Sequence, residues 1–570
     1  MKNQDICRIL REIATLLELE GSNSFRIRAY ERAAQIIEDL TQDLLALVQE
    51  GNLTTLPGIG NDLADKITEL VTTGKLKFYE ELKKKIPAGV VAMTEIPGLG
   101  PKTVKKIYET LHIENIPQLA QAARQGKLRI LEGIREKTEE NILRGIELLE
   151  KGSARTPLHF AFRLAEEFFE VLRPMEEVGA IEIAGSLRRR KDTVRDIDIL
   201  VVSKKPLPVM ARFTSCESVQ NVLVKGETKS SVVTKENGMQ VDLRVVEKSC
   251  FGSALLYFTG SKEFNIKIRQ LALKYGLKMN EYGVFKKEKC VAGKTESAIF
   301  SLLHMAFIPP ELREDRGEIE AALKNRLPKL VTLGNIKGDL HVHSRYSDGL
   351  ASLTDIANAA SALGYQYLGA CDHSQGLKVA HGLSAREVYR KIEEIKKINT
   401  KSALRLLCGT EVDIDANGRL DYPDSLLKEF DLVIAAIHSG FKQSKRQLTK
   451  RIIAACKNKY VNVIAHPTGR LWGARAAYDI DLDEILKVAR DYCVAMEINC
   501  YPSRLDLNDI HVMQAKKMGV KLSLGSDSHR LEHLTSIGLG ISVARRGWLE
   551  KGDIINCMDI NKLHKWLKKT

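Results

Sequence analysis

Hydrophobic positions recur every three or four residues from the N-terminus to about residue 150, and Gly or Pro interrupts the pattern at short intervals. This spacing predicts short amphipathic helices joined by turns. The pattern changes at IEIAGSLRRR, which begins at Ile181, and short β-branched runs then alternate with turns to about residue 250. These runs predict a second unit, a mixed sheet flanked by helices.

Beyond a helical stretch that reaches about residue 310, the segment PPELREDRGEIEAALKNRLPKL combines prolines with dense charge and predicts an exposed linker. After Ile336, strand-like runs alternate with helical segments, which predicts parallel strands joined by helices. Each run ends in His, Asp, Glu or Cys. An α/β barrel has its active site at such strand ends, so we expect one there.

The composition narrows the class of protein. A chain of 570 residues is too long for one hydrophobic core, and its net charge of +14 favours a polyanionic partner such as nucleic acid. No apolar stretch is long enough to span a bilayer, and the N-terminus resembles an amphipathic helix more than a signal peptide. The ten cysteines include no CxxC pair, which favours a reducing compartment. We expect a cytoplasmic, nucleoid-associated protein.

One pattern occurs twice in the helical region, as LPGIGNDLADKITELV from Leu56 and as IPGLGPKTVKKIYETL from Ile96. Its glycines are Gly58, Gly60, Gly98 and Gly100. Such turns leave backbone N–H groups free at a helix N-terminus, where they can hold a DNA phosphate without reading sequence. Both copies match the helix-hairpin-helix pattern. A third segment, LEGIREKTEENILRGI from Leu131, lacks the second glycine, and we assign it no phosphate.

Two aspartates, Asp196 and Asp198, lie one residue apart in the apolar run DIDILVV. Alternate residues of a strand share a face, so both carboxylates can bind the same divalent ions, and Asp242 could complete the site from a neighbouring strand. Two ions held in this way stabilise the attacking and leaving oxygens of phosphoryl transfer. A lone DxD is more often a surface turn, but this one lies between apolar residues.

The turn before the aspartates adds groups for phosphate: Gly185 and Ser186 supply donors, and Arg189 supplies a fork of N–H groups. With these residues, the chain from its first helix to about residue 315 resembles the family X DNA polymerases. Further matching residues are Tyr257, Phe258, Gly260, Asn265, Arg269 and the segment KMNEYG from Lys278.

The resemblance implies a role for each of these residues. The three aspartates would hold two Mg²⁺ or Mn²⁺ ions, and Asp242 would help activate the primer 3′-hydroxyl. Ser186 and Arg189 would bind the β and γ phosphates of a dNTP. Tyr257 and Phe258, with the turn at Gly260, would crowd the 2′ position of the sugar, and core packing is the alternative for both aromatic residues. Asn265 and Arg269 would contact the minor-groove side of the incoming base and the template.

Lys66 matches the position at which some members of this family carry a Schiff-base lysine, and a DNA-binding role is expected for it. A solvated helix lysine is the alternative. The sequence departs from the family nearby, since Asp62 stands where a phosphate-binding lysine is usual and Phe25 where a template-side histidine is usual. Lyase activity at Lys66 is therefore left open.

Six of the 13 histidines and three acids form strand-end motifs beyond residue 337. These nine residues are His341, His343, Asp348, His373, Glu411, His438, His466, Asp527 and His529. One strand-end histidine is more often a core residue than a ligand, but five motifs at successive strand ends favour a metal site. Nitrogen and oxygen donors without thiolate suit Mn²⁺, Zn²⁺ or Fe²⁺.

The motifs resemble those of the polymerase and histidinol phosphatase (PHP) domain over residues 337 to 570. The resemblance implies a distorted (β/α)7 barrel with a trinuclear metal site that hydrolyses phosphoesters. All nine family ligand positions are filled, which implies an active domain. Arg504, in YPSRL, could contact a DNA phosphate or could be a surface arginine.

The predicted fold is multidomain, with an α+β nucleotidyltransferase palm between a helical DNA-binding region and the barrel. The expected divisions are 1–85 and 86–152 for the two hairpin domains, 153–250 for the palm, 251–315 for a helical and mixed thumb, 316–336 for the linker and 337–570 for the PHP barrel.

The function expected from these parts is template-directed filling of short gaps in base excision repair, with 3′–5′ exonuclease or abasic-site phosphodiesterase chemistry in the barrel. The partners would be gapped or primer-template DNA and dNTPs, without a membrane, and the chain would act as a monomer. Three alternatives stay open: a polymerase fused to a small-molecule phosphatase of the histidinol phosphate kind, a non-enzymatic DNA-binding scaffold, and a template-independent transferase.

Overall fold

The structure, a computed structural model, describes residues 3–38, 40, 44–56, 58–94, 96, 99–136, 138–140, 142–143, 146 and 155–569. The chain divides into two compact units. The first consists of Met1–Ala154 with the short stretches Gln220–Val224 and Val232–Met239, and the second contains the remaining residues. No helix in the described part of the chain combines the length and apolar character needed to cross a membrane.

The described residues of the chain up to Ile130 form helices and turns, as predicted. The helices are Asn3–Glu20, Ser24–Glu38, Leu44–Gln49, Asn61–Thr73, Lys77–Lys85, Ala88–Met93, Pro101–Leu111 and Ile116–Arg124, with 3₁₀ turns at Leu53–Thr55 and Lys127–Ile130. The three-to-four-residue spacing of apolar side chains gives each helix one buried face, and these faces share one hydrophobic core. Leu10, Ile13 and Leu17 of the first helix are fully or almost fully buried there.

A mixed sheet follows in the chain. Its strands and those of the small sheet beside it are β1 (Thr156–Pro157), β2 (Ala180–Ile183), β3 (Thr193–Val194), β4 (Asp196–Val202), β5 (Val219–Lys225), β6 (Lys229–Thr234) and β7 (Gln240–Val246). The five-stranded sheet has the order β2-β4-β7-β6-β5, with β4 parallel to β7 and antiparallel to β2, while β1 pairs with β3. The helices of this part are Leu158–Leu172, Gly185–Arg188 and Pro206–Thr214.

A helical region with a small antiparallel sheet follows. Its elements are the helices Phe251–Thr259, Lys262–Lys274, Glu296–Leu302 and Glu318–Leu323, the strands β8 (Lys278–Asn280), β9 (Gly283–Lys286) and β10 (Lys289–Ala292), and 3₁₀ turns at Pro310–Leu312 and Leu333–Asn335. The predicted exposure of the segment 309–330 is wrong for much of its length. Ile319 and Ala322 are buried in the core of this region, and the Glu318 side chain is buried and accepts hydrogen bonds from two backbone N–H groups.

The rest of the chain, residues 338–569, forms a parallel barrel, as predicted. Its seven strands are β11 (Gly338–Val342), β12 (Tyr367–His373), β13 (Arg405–Asp413), β14 (Leu432–Ala436), β15 (Val463–Ile464), β16 (Ala495–Asn499) and β17 (Leu522–Gly525). They are adjacent in chain order, and a bridge between Val342 and Ser528 joins the first strand to the segment that follows the last. Because helices cover the sheet, these strands are buried on both faces and their sequences are continuous apolar runs.

Helices connect the strands of the barrel and cover its outside. They are Leu353–Ala362, Ala385–Asn399, Asp424–Leu427, Lys445–Lys457, Leu482–Asp491, Asp509–Lys517, Ile537–Arg546 and Ile560–Leu567, with 3₁₀ turns at Lys378–Ala380, Leu531–Ser536, Lys551–Asp553 and Ile555–Cys557. Several helices begin with a capping box, such as those at Ser352 and Ser384, which satisfies N–H groups that would otherwise lack partners.

Candidate active sites

The three aspartates singled out in the sequence lie on two adjacent parallel strands. Asp196 and Asp198 are on β4, and Asp198 is the register partner of Asp242 on β7. Partial burial of Asp198, followed by the repulsion of the two other carboxylates, raises the pKa of Asp198 to about 7. Asp242 accepts a hydrogen bond from the Gln240 side chain at 2.8 Å. Three carboxylates facing one place favour the binding of a cation, since a cation removes their mutual repulsion.

A glycine makes room for one of these carboxylates. Gly185 has φ +62, and a Cβ atom on it would lie 2.2 Å from Oδ2 of Asp198. Any larger residue would therefore displace the carboxylate. Ser186 follows on the short helix Gly185–Arg188, partly exposed, so the Gly-Ser turn lies directly beside the aspartates.

Arg189 is almost buried and already has protein partners. Its Nε donates to Glu314 at 3.0 Å, and its NH1 donates to the Thr259 carbonyl. The NH2 nitrogen is the one with no partner among the described residues. A Cβ atom on Gly260 would lie 3.1 Å from NH1 of Arg189, so this glycine allows the guanidinium to approach the turn.

The remaining residues of the predicted nucleotide site lie on two consecutive helices. Tyr257 and Phe258 are at the end of Phe251–Thr259, half-buried, with ring centroids 5.1 Å apart in a T-shaped arrangement. Asn265 donates from Nδ2 to the Tyr257 carbonyl at 2.6 Å, and Arg269 is exposed one turn later on the same helix. The geometry groups Tyr257 with Asn265, and Arg269, whose Nε donates to the Asn265 carbonyl at 3.0 Å, exposes the rest of its guanidinium.

The hairpins in the first unit share one local geometry. The N–H groups of Ile59 and Leu99 donate to carbonyls three residues earlier, and Gly60 and Gly100 then cap helices with extended backbones. A Cβ atom on either capping glycine would meet nothing within 4 Å, so both helix N-termini are open. Gly58 has φ +103, which a larger residue would adopt only with strain. Gly98 lies outside the described residues.

The degenerate third segment has the same turn. Ile134 donates to the Leu131 carbonyl at 3.0 Å, and Gly133 has φ +90, as Gly58 does at the matching position. Arg135 replaces the second glycine, and its carbonyl accepts from Glu139 at 3.1 Å. The turn is therefore conserved in geometry, whereas a side chain stands where Gly60 and Gly100 leave space.

Lys66 lies on the helix of the first hairpin. Its ammonium forms an ion pair with Asp62 and lies 5.2 Å from the centroid of the Phe78 ring. Its side chain is 17% exposed. Asp62 is therefore paired with the same nitrogen that would have to act as the nucleophile in a Schiff-base reaction.

The nine histidines and acids predicted in the barrel converge at the carboxyl ends of its strands. We call them the histidine cluster. Three sets of its donor atoms each lie within 4.8 Å of one another: His343 with Asp348, His373 and His529; His341 with His343 and Asp527; and His373 with Glu411 and His438. The ninth residue, His466, has its Nε2 2.8 Å from Oε1 of Glu411. In the described chain, His343 and His373 also have a buried Nδ1 without a hydrogen-bond partner. These donor sets fit divalent metal ions.

Two acids that the sequence analysis missed orient the cluster from outside. Glu497 Oε1 lies 2.6 Å from Nδ1 of His341, and its Oε2 accepts from the His466 backbone. Asp413 Oδ1 lies 3.2 Å from Nδ1 of His438. Such partners fix the orientation of the imidazole and leave its other nitrogen for a metal. Their signal was present, because both acids lie at strand ends, but each is one of many acids in the chain.

Electrostatics favour the charged forms of the cluster acids. Burial alone would raise the pKa of Glu411, but the surrounding histidines lower it well below its ordinary value. Burial opposes protonation of His438, yet the Glu411 and Asp413 carboxylates raise its pKa to about 9. The buried Asp372, next to the cluster residue His373, is balanced by the fully buried Lys391 at 2.7 Å.

Arg504 borders the cluster. Its Nε lies 3.3 Å from Oδ2 of Asp527, and its side chain is 17% exposed. Its NH1 is buried and has no hydrogen-bond partner in the described part of the chain. The guanidinium thus has donor capacity left beside the place where a phosphoester would meet the cluster.

The mixed sheet with its aspartates and Gly-Ser turn, followed by a seven-stranded barrel with a histidine cluster, defines the class: a polymerase β-like core joined to a PHP barrel. The comparisons with known families agree. Residues 1–76 match the helix-hairpin-helix domain, 90–147 the SAM-like helix-hairpin-helix tandem, 254–314 the DNA polymerase beta thumb and 339–500 the PHP domain.

Relatives match the chain over different spans. The DNA polymerase/3′-5′ exonuclease PolX of Bacillus subtilis (strain 168) is 38% identical over 573 residues, which cover 100% of both chains. A protein named "Probable phosphatase" from Thermoanaerobacter sp. (strain X514) is 29% identical over 40% of this chain and 94% of its own. The chain belongs to the PolX family. Its PHP domain and its polymerase relative imply dependence on divalent metal ions.

Proposed function

We propose that the chain is a template-directed DNA repair polymerase that fills short gaps, and that its barrel removes nucleotides from 3′ ends. The observation that carries this proposal is the presence of two separate candidate metal sites in one chain, the aspartates on β4 and β7 and the histidine cluster at the strand ends of the barrel. The full-length similarity to a polymerase/3′-5′ exonuclease supports the combination.

At the first site, Asp196, Asp198 and Asp242 would hold two Mg²⁺ or Mn²⁺ ions, which when bound neutralise the triphosphate and the developing charge of nucleotidyl transfer. Asp242 would accept the proton of the primer 3′-hydroxyl. The Ser186 hydroxyl and the free NH2 of Arg189 would donate to the phosphates of the dNTP.

The residues around the sugar and base would select the nucleotide. Tyr257 and Phe258 would fill the space beside the 2′ carbon, and their contact in the structure supports a rigid wall there. Asn265, fixed by its bond to the Tyr257 carbonyl, would face the minor-groove side of the incoming base. The exposed Arg269 would reach the template strand.

At the second site, the histidine cluster would hold three ions, of Mn²⁺, Zn²⁺ or Fe²⁺ type, which supply a nucleophile and stabilise the charge of phosphodiester hydrolysis. Glu497 and Asp413 would keep His341 and His438 oriented, and Arg504 would donate its free NH1 to the phosphate of the 3′-terminal nucleotide. The helix N-termini at Gly60 and Gly100, with Lys66 nearby, would hold the DNA backbone. Abasic-site cleavage would use the same cluster.

The second candidate for the barrel is a small-molecule phosphatase, and the phosphatase-named relatives that match this part of the chain favour it. Attachment to DNA-binding hairpins argues for DNA as the substrate, because tethering raises the local concentration of DNA ends.

The deciding experiment gives the purified chain a one-nucleotide gap, a 3′ single strand and histidinol phosphate, with Asp198→Asn and His343→Ala as matched variants. Degradation of the single strand lost only in His343→Ala supports the proposal. Hydrolysis of histidinol phosphate without degradation of DNA would instead support the small-molecule phosphatase.

A further inference from the structure

A buried set of ion pairs joins the barrel to the guanidinium of Arg189. Arg546, the last residue of the barrel helix Ile537–Arg546, is 3% exposed, and its NH1 lies 2.9 Å from Oε1 of Glu314. The same oxygen accepts from Nε of Arg189 at 3.0 Å. Arg546 NH1 also donates to the Arg189 backbone carbonyl at 2.7 Å. One carboxylate thus connects an arginine of the barrel with an arginine beside the aspartates.

The other side of Arg546 is fixed as well. Its NH2 lies 2.7 Å from Oδ2 of Asp509, and the same oxygen lies 2.9 Å from NH1 of Arg316. Burial alone would raise the pKa of Asp509 and of Glu314, but the arginines around them hold both pKa values below the ordinary range. Both carboxylates are therefore charged at neutral pH.

Arg189 is the member of this network next to the Gly-Ser turn and the aspartates. Its Nε and NH1 donate to Glu314 and to the Thr259 carbonyl, and its NH2 has no hydrogen-bond partner among the described residues. This guanidinium is therefore the place in the network where a phosphate can compete with Glu314 for N–H donors.

We propose that Arg546, although part of the barrel, is a positioning residue for nucleotide binding at the aspartates; this inference rests on the proposed contact of Arg189 with the triphosphate. Because Arg546 also donates to Glu314, this carboxylate interacts less strongly with Arg189. The Arg189 guanidinium can then bind a phosphate of the nucleotide. Without Arg546, Arg189 is the nearest cation to the buried Glu314 among the described residues, and Lys191 Nζ lies farther away, 3.9 Å from Oε2. Arg189 then stays bound to Glu314 at the expense of the nucleotide.

The test measures single-nucleotide gap filling by the full chain. We expect Arg546→Gln to raise the KM for dNTP roughly 5- to 30-fold, which lies within the range of coupling between residues of one ion-pair network, with kcat within about 3-fold of the wild type. Arg546→Lys, which keeps the charge, should stay within about 3-fold in KM. Removing the competing carboxylate as well, in Arg546→Gln with Glu314→Gln, should return the KM toward the wild-type value.

Arg545→Gln is the matched control. Arg545 is the neighbouring residue of the same helix and pairs with Glu311 at 2.7 Å. The variant therefore removes a similar ion pair but none of the contacts of Glu314. Its KM for dNTP should not change. Degradation of a 3′ single strand and the melting temperature are measured for every variant, because a folded Arg546→Gln protein should keep the nuclease activity.

Three results would overturn the inference: a wild-type KM in Arg546→Gln, an equal rise in Arg545→Gln, or no recovery in the double variant. If Arg546→Gln does not fold, Glu314→Gln alone decides, since its KM should be no higher than that of the wild type and a 10-fold rise refutes the competition. The variant Arg189→Gln distinguishes a failure of the proposed contact between Arg189 and the triphosphate from a failure of the proposed role of Arg546. A wild-type KM there removes the proposed role of Arg189 itself, whereas a raised KM there with an unchanged KM in Arg546→Gln removes only the role of Arg546.

Discussion

Asp198 and Asp242 are register partners on two neighbouring parallel strands, although 44 positions separate them in the numbering. Parallel pairing needs a long crossover, and here the chain between them forms a helix and two further strands before it returns. The pairing brings the third carboxylate beside the two that the DxD spacing already places on one face. The sheet therefore supplies a geometry that neither segment has by itself.

Loss of either carboxylate should abolish synthesis. Asp198→Asn or Asp242→Asn removes a proposed metal ligand but no proposed contact to DNA, so primer extension on a one-nucleotide gap should fall by about 1,000-fold or more while gapped-DNA binding stays near the wild-type level. Extension kinetics and a binding titration check this. Near wild-type extension by either variant would show that the aspartates are not the catalytic site.

A pH-dependent loss of stability is expected from His159, at the start of the helix Leu158–Leu172. Its burial, and then the nearby Arg163, lower the pKa of His159 to about 4. The neutral form is thus favoured on folding, so its contribution is fully present above about pH 6.5 and is lost as the pH falls toward 4. Relative to the wild type, His159→Gln should gain about 1 kcal/mol on going from pH 7.5 to pH 5, allowing for partial exposure.

Melting temperatures of the two proteins at both pH values measure this difference. If the difference between His159→Gln and the wild type does not depend on pH, then His159 is not held in its neutral form.

The barrel and its cluster were predictable because their signal repeats. Six of the seven strand runs end at or just before a candidate ligand, and parallel strands place their carboxyl ends at one edge. Glu497 and Asp413 were missed because their role depends on contacts with His341 and His438, not on spacing. The same holds for Arg546, which meets Glu314 across 232 positions of the chain.

The wrong prediction concerned the exposure of the segment 309–330, and its cause was charge. Dense Glu and Arg are typical of solvated linkers, but here several of these charges have buried partners. Arg313 is fully buried against Glu296 at 2.6 Å, and Arg316 pairs with Asp509 of the barrel. Composition alone does not distinguish a charge that faces water from one that has a partner far along the chain.

The hairpins should bind DNA through its backbone. Binding to gapped DNA should be insensitive to sequence, and contact with roughly four phosphates would lower the affinity about 100-fold between 50 and 200 mM salt. Gly100→Asp and Gly100→Asn test the helix N-terminus with side chains of equal size, and both can cap the helix. The carboxylate should weaken binding about 10-fold relative to the amide by repelling a phosphate. Equal affinities of the two variants, or an affinity that does not change with salt, would contradict the proposal that the hairpins bind DNA phosphates.

Glu497, which contacts His341 of the histidine cluster, should affect metal binding more than folding. Glu497→Gln keeps the size of the side chain but weakens the orientation of His341, so metal affinity should fall by about 10- to 100-fold. Reconstitution of chelator-treated protein with increasing Mn²⁺, followed by nuclease activity and by the metal-dependent rise in melting temperature, measures this. Asp424→Asn, in a helix on the outside of the barrel, is the control and should titrate like the wild type. An unchanged Mn²⁺ titration in Glu497→Gln would exclude the supporting role.

The two sites should be separable. His341→Ala or His343→Ala removes one of two donors at the carboxyl end of β11, so 3′-end degradation should disappear while gap filling survives. Because the donors are imidazoles and carboxylates, degradation should also stop in chelator and fall in acid, where protons compete with metal for the histidines. The expected pattern is reciprocal, since Asp198→Asn should lose gap filling and keep the nuclease. If the His341 variant still degrades 3′ ends while Asp198→Asn does not, the nuclease belongs to the aspartate site, and the barrel must have another substrate.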